Sequence, residues 1–206
     1  MYDTWFFQHS ANSQLDNLTN IGFTMLEGGW YRADLIPGKL TLLSFNSLQM
    51  NSSSVVRDLT GEEDTELDWL EAQLVNAAPG EKFLVQMHIY ETAGLWNGVG
   101  WANWKKDRHL ERYLRLMNVH ADKILLEVTG HDHLAGMRYS AKHDGFYLNK
   151  VLFPGLTGSS QTQPGFGTFE FDSETDTVQA LKFTFIDIDS TIGLPETTPF
   201  DELPWF

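Results

Sequence analysis

Strand-length apolar runs alternating with two helix-patterned segments constrain this chain more than any other feature. Runs rich in apolar and β-branched residues, bounded by turn residues, occupy 39–46, 82–88, 123–129, 146–153, 168–172 and 180–187. Between the first two, 64–77 sets Leu67, Leu70, Leu74 and Val75 on one helical face, with Asp64 or Thr65 as a start signal and Pro79-Gly80 as a stop. Segment 107–118 repeats the pattern with Leu110, Tyr113, Leu114 and Met117, its charges falling on the other face. The resulting β-α-β-α-β order, followed by three more strands, predicts a mixed sheet flanked by helices, with hairpins or meanders joining the later strands. The fold class is α/β, with α+β the alternative. One domain is expected over 1–190, followed by an irregular acidic tail at 191–206 that carries Pro195, Pro199 and Pro204. The first thirty residues have weak periodicity and read as a helix or loop whose Trp5, Phe6 and Phe7 need a partner surface.

Composition narrows the chemistry. The 206 residues are 42% hydrophobic and 13% aromatic, enough for a substantial single core. A formal charge of -14 would repel phosphate backbones and acidic lipids, so nucleic acid is not an expected partner. With no cysteine, disulfides, thiolate ligands and cysteine nucleophiles are excluded, and metal chemistry falls to histidine, carboxylate or amide ligands. No apolar run of about 18 residues predicts a transmembrane segment, and Met1–Trp5 has neither the basic start nor the apolar stretch of a signal peptide. The sequons Asn17-Leu18-Thr19 and Asn51-Ser52-Ser53 tilt localisation slightly towards export. A secreted or lysosomal/vacuolar protein is expected if the full-length sequence carries a signal peptide.

The sharpest local signal is Gly130-His131-Asp132-His133, directly after the apolar stretch 124–128. Gly130 is expected to let the chain turn off the strand end. In extended backbone the side chains of His131 and His133 would point the same way and converge on one cavity. His88 ends a second apolar run, and ligands collect beyond the carboxyl ends of strands in open sheets. A lone histidine there is commonly a hydrogen-bonded surface residue, whereas three converging imidazoles are a metal-ligand pattern. His9, His109, His120 and His143 lack this context and read as structural or solvated.

These blocks resemble the C-terminal portion of the calcineurin-like metallophosphoesterases, and within them the acid-sphingomyelinase-like phosphodiesterase branch. The resemblance runs from about Gly28 to Ile188 through Gly28-Gly29-Trp30-Tyr31, Leu43-Ser44-Phe45-Asn46, Asp68-Trp69-Leu70, His88, Gly130-His131-Asp132-His133 and Pro164–Asp172. It implies the C-terminal half of a β-sandwich. It implies that His88 and His131 ligate one divalent ion and His133 a second, zinc with manganese or iron as alternatives. In such sites the ions bind phosphate oxygens and activate a bridging water. Gly130 would shape the turn, while Asp132, or carbonyls in 157–160, would fix the imidazole tautomers. The substrate implied is a small phosphoester or a phospholipid head group.

The family's opening Asp-x-His, Gly-Asp-x-x-Asp and Gly-Asn-His blocks do not occur, and Asp3 and His9 lack the spacing to replace them. Ile89-Tyr90-Glu91 stands where the family has Pro-Pro-Gly. The chain is therefore expected to need the missing N-terminal half of the domain and to be a poor phosphoesterase by itself. Two other expectations compete: an inactive family member serving as a binding module, and an α/β domain whose histidines are incidental.

Overall fold

All six apolar runs become strands. A computed structural model describes residues 21–54, 61–96, 99–105, 107–141, 147–156, 163–191, 193, 198 and 202–204. In chain order the elements are α1 (Ile21–Glu27), β1 (Tyr31–Ile36), β2 (Leu40–Ser44), α2 (Glu62–Val75), β3 (Lys82–Gln86), β4 (Ala93–Trp96), β5 (Val99–Ala102), α3 (Arg108–Val119), β6 (Ile124–Thr129), β7 (Gly136–Ala141), β8 (Tyr147–Leu152), β9 (Gly165–Asp172), β10 (Thr177–Phe185) and α4 (Ile188–Thr191). The expected helices are α2 and α3. Strands β1, β4, β5 and β7 are additions to the sequence reading: they are short, or carry glycine and alternating charge such as Arg32 and Asp34, so apolar runs do not mark them.

The main sheet has the order β1-β2-β3-β6-β8-β7. Its four inner strands are parallel, and antiparallel β1 and β7 form the edges. The class is α/β. Parallel neighbours need crossovers, which α2 and α3 supply, while β9 and β10 form a separate two-stranded hairpin. Among the described residues no helix is long and apolar enough to cross a membrane.

The sheet buries both faces differently. Leu67, Leu70 and Leu74 of α2, with Tyr113, Leu116 and Met117 of α3, pack with Leu43, Phe83, Val85 and Ile124 in one core. Val75, expected on the buried side of α2, is exposed because it stands on the helix's last turn, and Leu116 is buried where Leu114 was expected. Asp107 caps α3 by accepting from the backbone N–H groups of His109 and Leu110, whereas α2 starts behind left-handed Gly61 and two residues before the expected Asp64. Trp104, from the loop after β5, stacks on Phe45 at 5.9 Å and tilts against Tyr113 at 4.9 Å. Its Nε1 donates to the Ile89 carbonyl at 2.8 Å, which fixes the segment after His88.

On the opposite face, Leu40, Leu84, Leu126 and Val151 meet Phe169, Phe171, Leu181 and Phe183 of the hairpin. A register shift makes Phe83 partner Ile124 but Leu84 partner Leu126, so Leu125 is one extra residue in β6. Side chains alternate with period two, so this bulge turns Glu127 towards the helix-covered face instead of the hairpin. Of the segment 191–206, Pro204 accepts a backbone bond from Asp187 at 3.1 Å. Trp5, Phe6 and Phe7 lie outside the described residues.

Candidate functional site

Strands β3 and β6 run parallel as neighbours, so the residues that follow them emerge side by side. Pairing continues past the strand ends: the Met87 N–H donates to the Val128 carbonyl at 2.9 Å and the Gly130 N–H to the His88 carbonyl at 3.0 Å. His88 and His131 consequently meet edge to face, ring centres 5.4 Å apart and planes at 83°. His133 lies instead against the chain after β8, where a Cβ on Gly155 would come 3.0 Å from its Cγ. Two adjacent parallel strand ends, those of β3 and β6, thus carry the three expected histidines, and the end of the next parallel strand, β8, packs against His133, in the crevice position for open α/β sheets.

The local geometry corrects two expectations. Gly130 is not the turn: its φ is unexceptional, and the left-handed torsions belong to His131 (φ 78°) and His133 (φ 56°). A Cβ on Gly130 would come 3.3 Å from His88 Nδ1, so glycine serves close approach there. Because the segment is not extended, His131 and His133 do not project in parallel; one meets His88 and the other Gly155.

Much of the His88 ring meets solvent, yet burial of the rest holds its pKa below 6.5, with His131 and then His133 adding repulsion. The imidazole is therefore neutral at physiological pH, the form that binds a metal.

Two imidazoles sharing one zinc at tetrahedral angles place their ring centres about 5 Å apart, given Zn–N bonds of about 2.0–2.1 Å. The His88–His131 pair fits that separation. Among the described residues, however, no three His, Asp or Glu side chains gather in a set that could hold an ion. The residues fit one ion held by two imidazoles; they do not fit a dinuclear centre.

Asp132 turns away from a tautomer-fixing role. It is 3% exposed and accepts a hydrogen bond from the Tyr90 hydroxyl. Burial, reinforced by this carboxylate, pushes Tyr90 up to about 12. Arg138 Nη2 lies 3.9 Å from Asp132 Oδ2, and its guanidinium carbon sits 4.6 Å from the Tyr90 ring centre. The segment 157–160, the other expected support, is outside the described residues, as are Asp3, His9 and His143.

The sequence reading missed a buried triad beneath the histidines. Lys150 Nζ bonds Glu91 and lies 2.8 Å from Glu127 Oε2, all three side chains no more than 4% exposed. Glu127 and Lys150 are register partners across β6 and β8, and Glu91 comes from the segment after His88. Burial pushes Glu127 up to about 7, Lys150 opposing and Glu91 reinforcing the shift. Charged residues inside the apolar runs Ile-Leu-Leu-Glu-Val and Asn-Lys-Val-Leu were the available signal. His109 is buried, 3.5 Å from Asp64 and 3.6 Å from Asp107; it is structural, not solvated.

No family model matches the sequence, and comparison with curated proteins finds no match. Solved structures that match include two. One is GAP50, the anchor in the inner membrane complex of Plasmodium, at 14% identity and a TM-score of 0.41, covering 79% of this chain and 61% of that one. The other, a putative 5'-nucleotidase from Staphylococcus aureus, has 10% identity and a TM-score of 0.37, covering 75% of this chain and 28% of that one. The chain thus spans less than two thirds of either protein's length, and likenesses this weak carry no argument about its activity.

Proposed function

We propose that this chain is the histidine-bearing part of a metal-dependent phosphoester hydrolase, a phosphodiesterase of the acid-sphingomyelinase-like kind acting on a small phosphoester or phospholipid head group. The observation that supports it most is the His88–His131 pair, two imidazoles at shared-ion separation on adjoining parallel strand ends. In this reading His88 and His131 hold one divalent ion, zinc with manganese or iron as alternatives, and His133 would join a second only with ligands from outside the described residues. A bound ion supplies Lewis acidity for phosphate oxygens. The chain's own contribution is to hold the neutral His88 imidazole beside His131 and to bring Gly130 close to the His88 ring. A charge of -14 repels phosphoesters, so cation binding precedes substrate approach. The bridging carboxylate and remaining ligands would come from an N-terminal half-domain, and this chain alone is a poor hydrolase.

A second reading, an inactive binding module, is favoured by the lack of a third ligand beside His88 and His131 among the described residues. Plasma mass spectrometry of the purified chain tests the first reading. About one equivalent of metal, lost in the His88→Ala/His131→Ala double variant, is expected, together with weak hydrolysis of bis-p-nitrophenyl phosphate. No bound metal in the unaltered chain after incubation with zinc sinks it, and vigorous hydrolysis refutes the half-site.

A further inference from the structure

His131 and His133 adopt torsions that a residue with a Cβ takes up only where the surroundings over-determine the backbone. Something must hold the loop in that shape. Among 131–135 the buried side chain is Asp132, the residue between them. A buried carboxylate is tolerable only beside donors, so the loop settles where Asp132 finds one. That donor is the Tyr90 hydroxyl, two residues beyond His88. Among the described residues the second carboxylate oxygen, Oδ1, has no hydrogen-bond partner, so the Tyr90 hydroxyl is the side-chain attachment that supplements the Gly130–His88 backbone bond between the two histidine-bearing segments. Arg138 of edge strand β7 covers the Tyr90 ring and donates from Nη1 to the Ala93 carbonyl at 2.8 Å, joining the same corner to the chain after Tyr90.

We infer that Tyr90 and Asp132 are positioning residues: their hydrogen bond, backed by Arg138, sets the left-handed backbone that brings His131 to His88 and His133 to Gly155. The consequence for metal binding rests on the proposed metal reading; the consequence for loop geometry does not. Asp132 acts through the peptide units on either side of it.

The test records imidazole carbon–proton NMR resonances of the metal-free chain, assigned with single His→Ala variants, followed by zinc titration against a chromophoric chelator. In Tyr90→Phe, which keeps the ring and loses the hydroxyl, the His131 and His133 resonances move while those of His109 and His120 stay. Zinc affinity falls about tenfold, as for loss of other groups supporting metal ligands. Asp132→Asn retains an acceptor for the hydroxyl and stays nearer the unaltered chain than Asp132→Ala; this pair carries the test if Tyr90→Phe fails to fold. Unmoved His131 and His133 resonances, or equal shifts at all histidines, overturn the inference. A chain that binds no zinc sinks the metal reading and leaves the NMR result standing.

Discussion

The two faces of the main sheet are built to different standards. Under α2 and α3, Phe45, Trp104, Tyr113, Leu67, Leu70 and Leu74 are all at most 3% exposed. On the other face Phe169, Phe171, Leu181 and Phe183 of the hairpin are only half-buried. A cavity of about 330 Å³ remains between that hairpin and the sheet, lined by Leu125, Leu126, Met137, Val151, Val178 and Leu181. Strand spacing explains the difference. Six strands span about 24 Å between their outermost members and two strands about 5 Å, so a hairpin cannot roof the sheet as two helices of 10–12 Å diameter can. Stability is thus concentrated on the helix side, where the segments leading to His88 and Gly130 are anchored.

Truncation in each layer should expose this asymmetry. Trp104→Ala removes the centre of the aromatic cluster and the Nε1 bond to Ile89, and should cost about 3–5 kcal/mol in urea unfolding. A loss under about 1 kcal/mol would mean that the cluster is not the centre of stability.

Lys150→Met strands two buried acids on the helix side and should cost about 3 kcal/mol at pH 8. The sign with pH follows from Glu127, whose folded pKa of about 7 lies above its ordinary 4.5. Its contribution is complete below about 4.5 and fades as pH rises through 7, so the unaltered chain gains from this group on going from pH 8 to 5. Without the lysine cation Glu127 holds its proton more strongly, so the penalty of Lys150→Met should shrink towards pH 5. Unfolding free energies that differ equally at both pH values would contradict an ionic role for the triad.

Leu181→Ala, beside the hairpin cavity, should cost least, about 1–2 kcal/mol, because the lost side chain is already partly in water. If its measured cost in the same urea series rivals that of Trp104→Ala, the two faces are equivalent after all.

Within the main sheet, legibility followed strand position. The residues of β2, β3, β6 and β8 announce themselves because strands buried on both faces read as continuous apolar runs. Edge strands β1 and β7 lack such runs: β1 alternates, as in Tyr31-Arg32-Ala33-Asp34, and β7 carries Gly136, Arg138 and Ser140, so both escaped notice. His88 and the His131/His133 pair were legible as candidates because each follows an apolar run. Their relation was not, since left-handed torsions at two histidines contradict local preference and arise from contacts made far along the chain.

The sequence alone determined six of the strands, the helices α2 and α3, their order and which strand ends carry imidazoles, because hydrophobic periodicity acts over a few residues. Only the tertiary structure decided which face each charged residue occupies. The bulge at Leu125 turns Glu127 towards Lys150, and the parallel pairing of β3 with β6 brings His88 to His131. Those choices depend on pairing between segments roughly forty residues apart and on where a buried charge finds its partner, which no local pattern encodes.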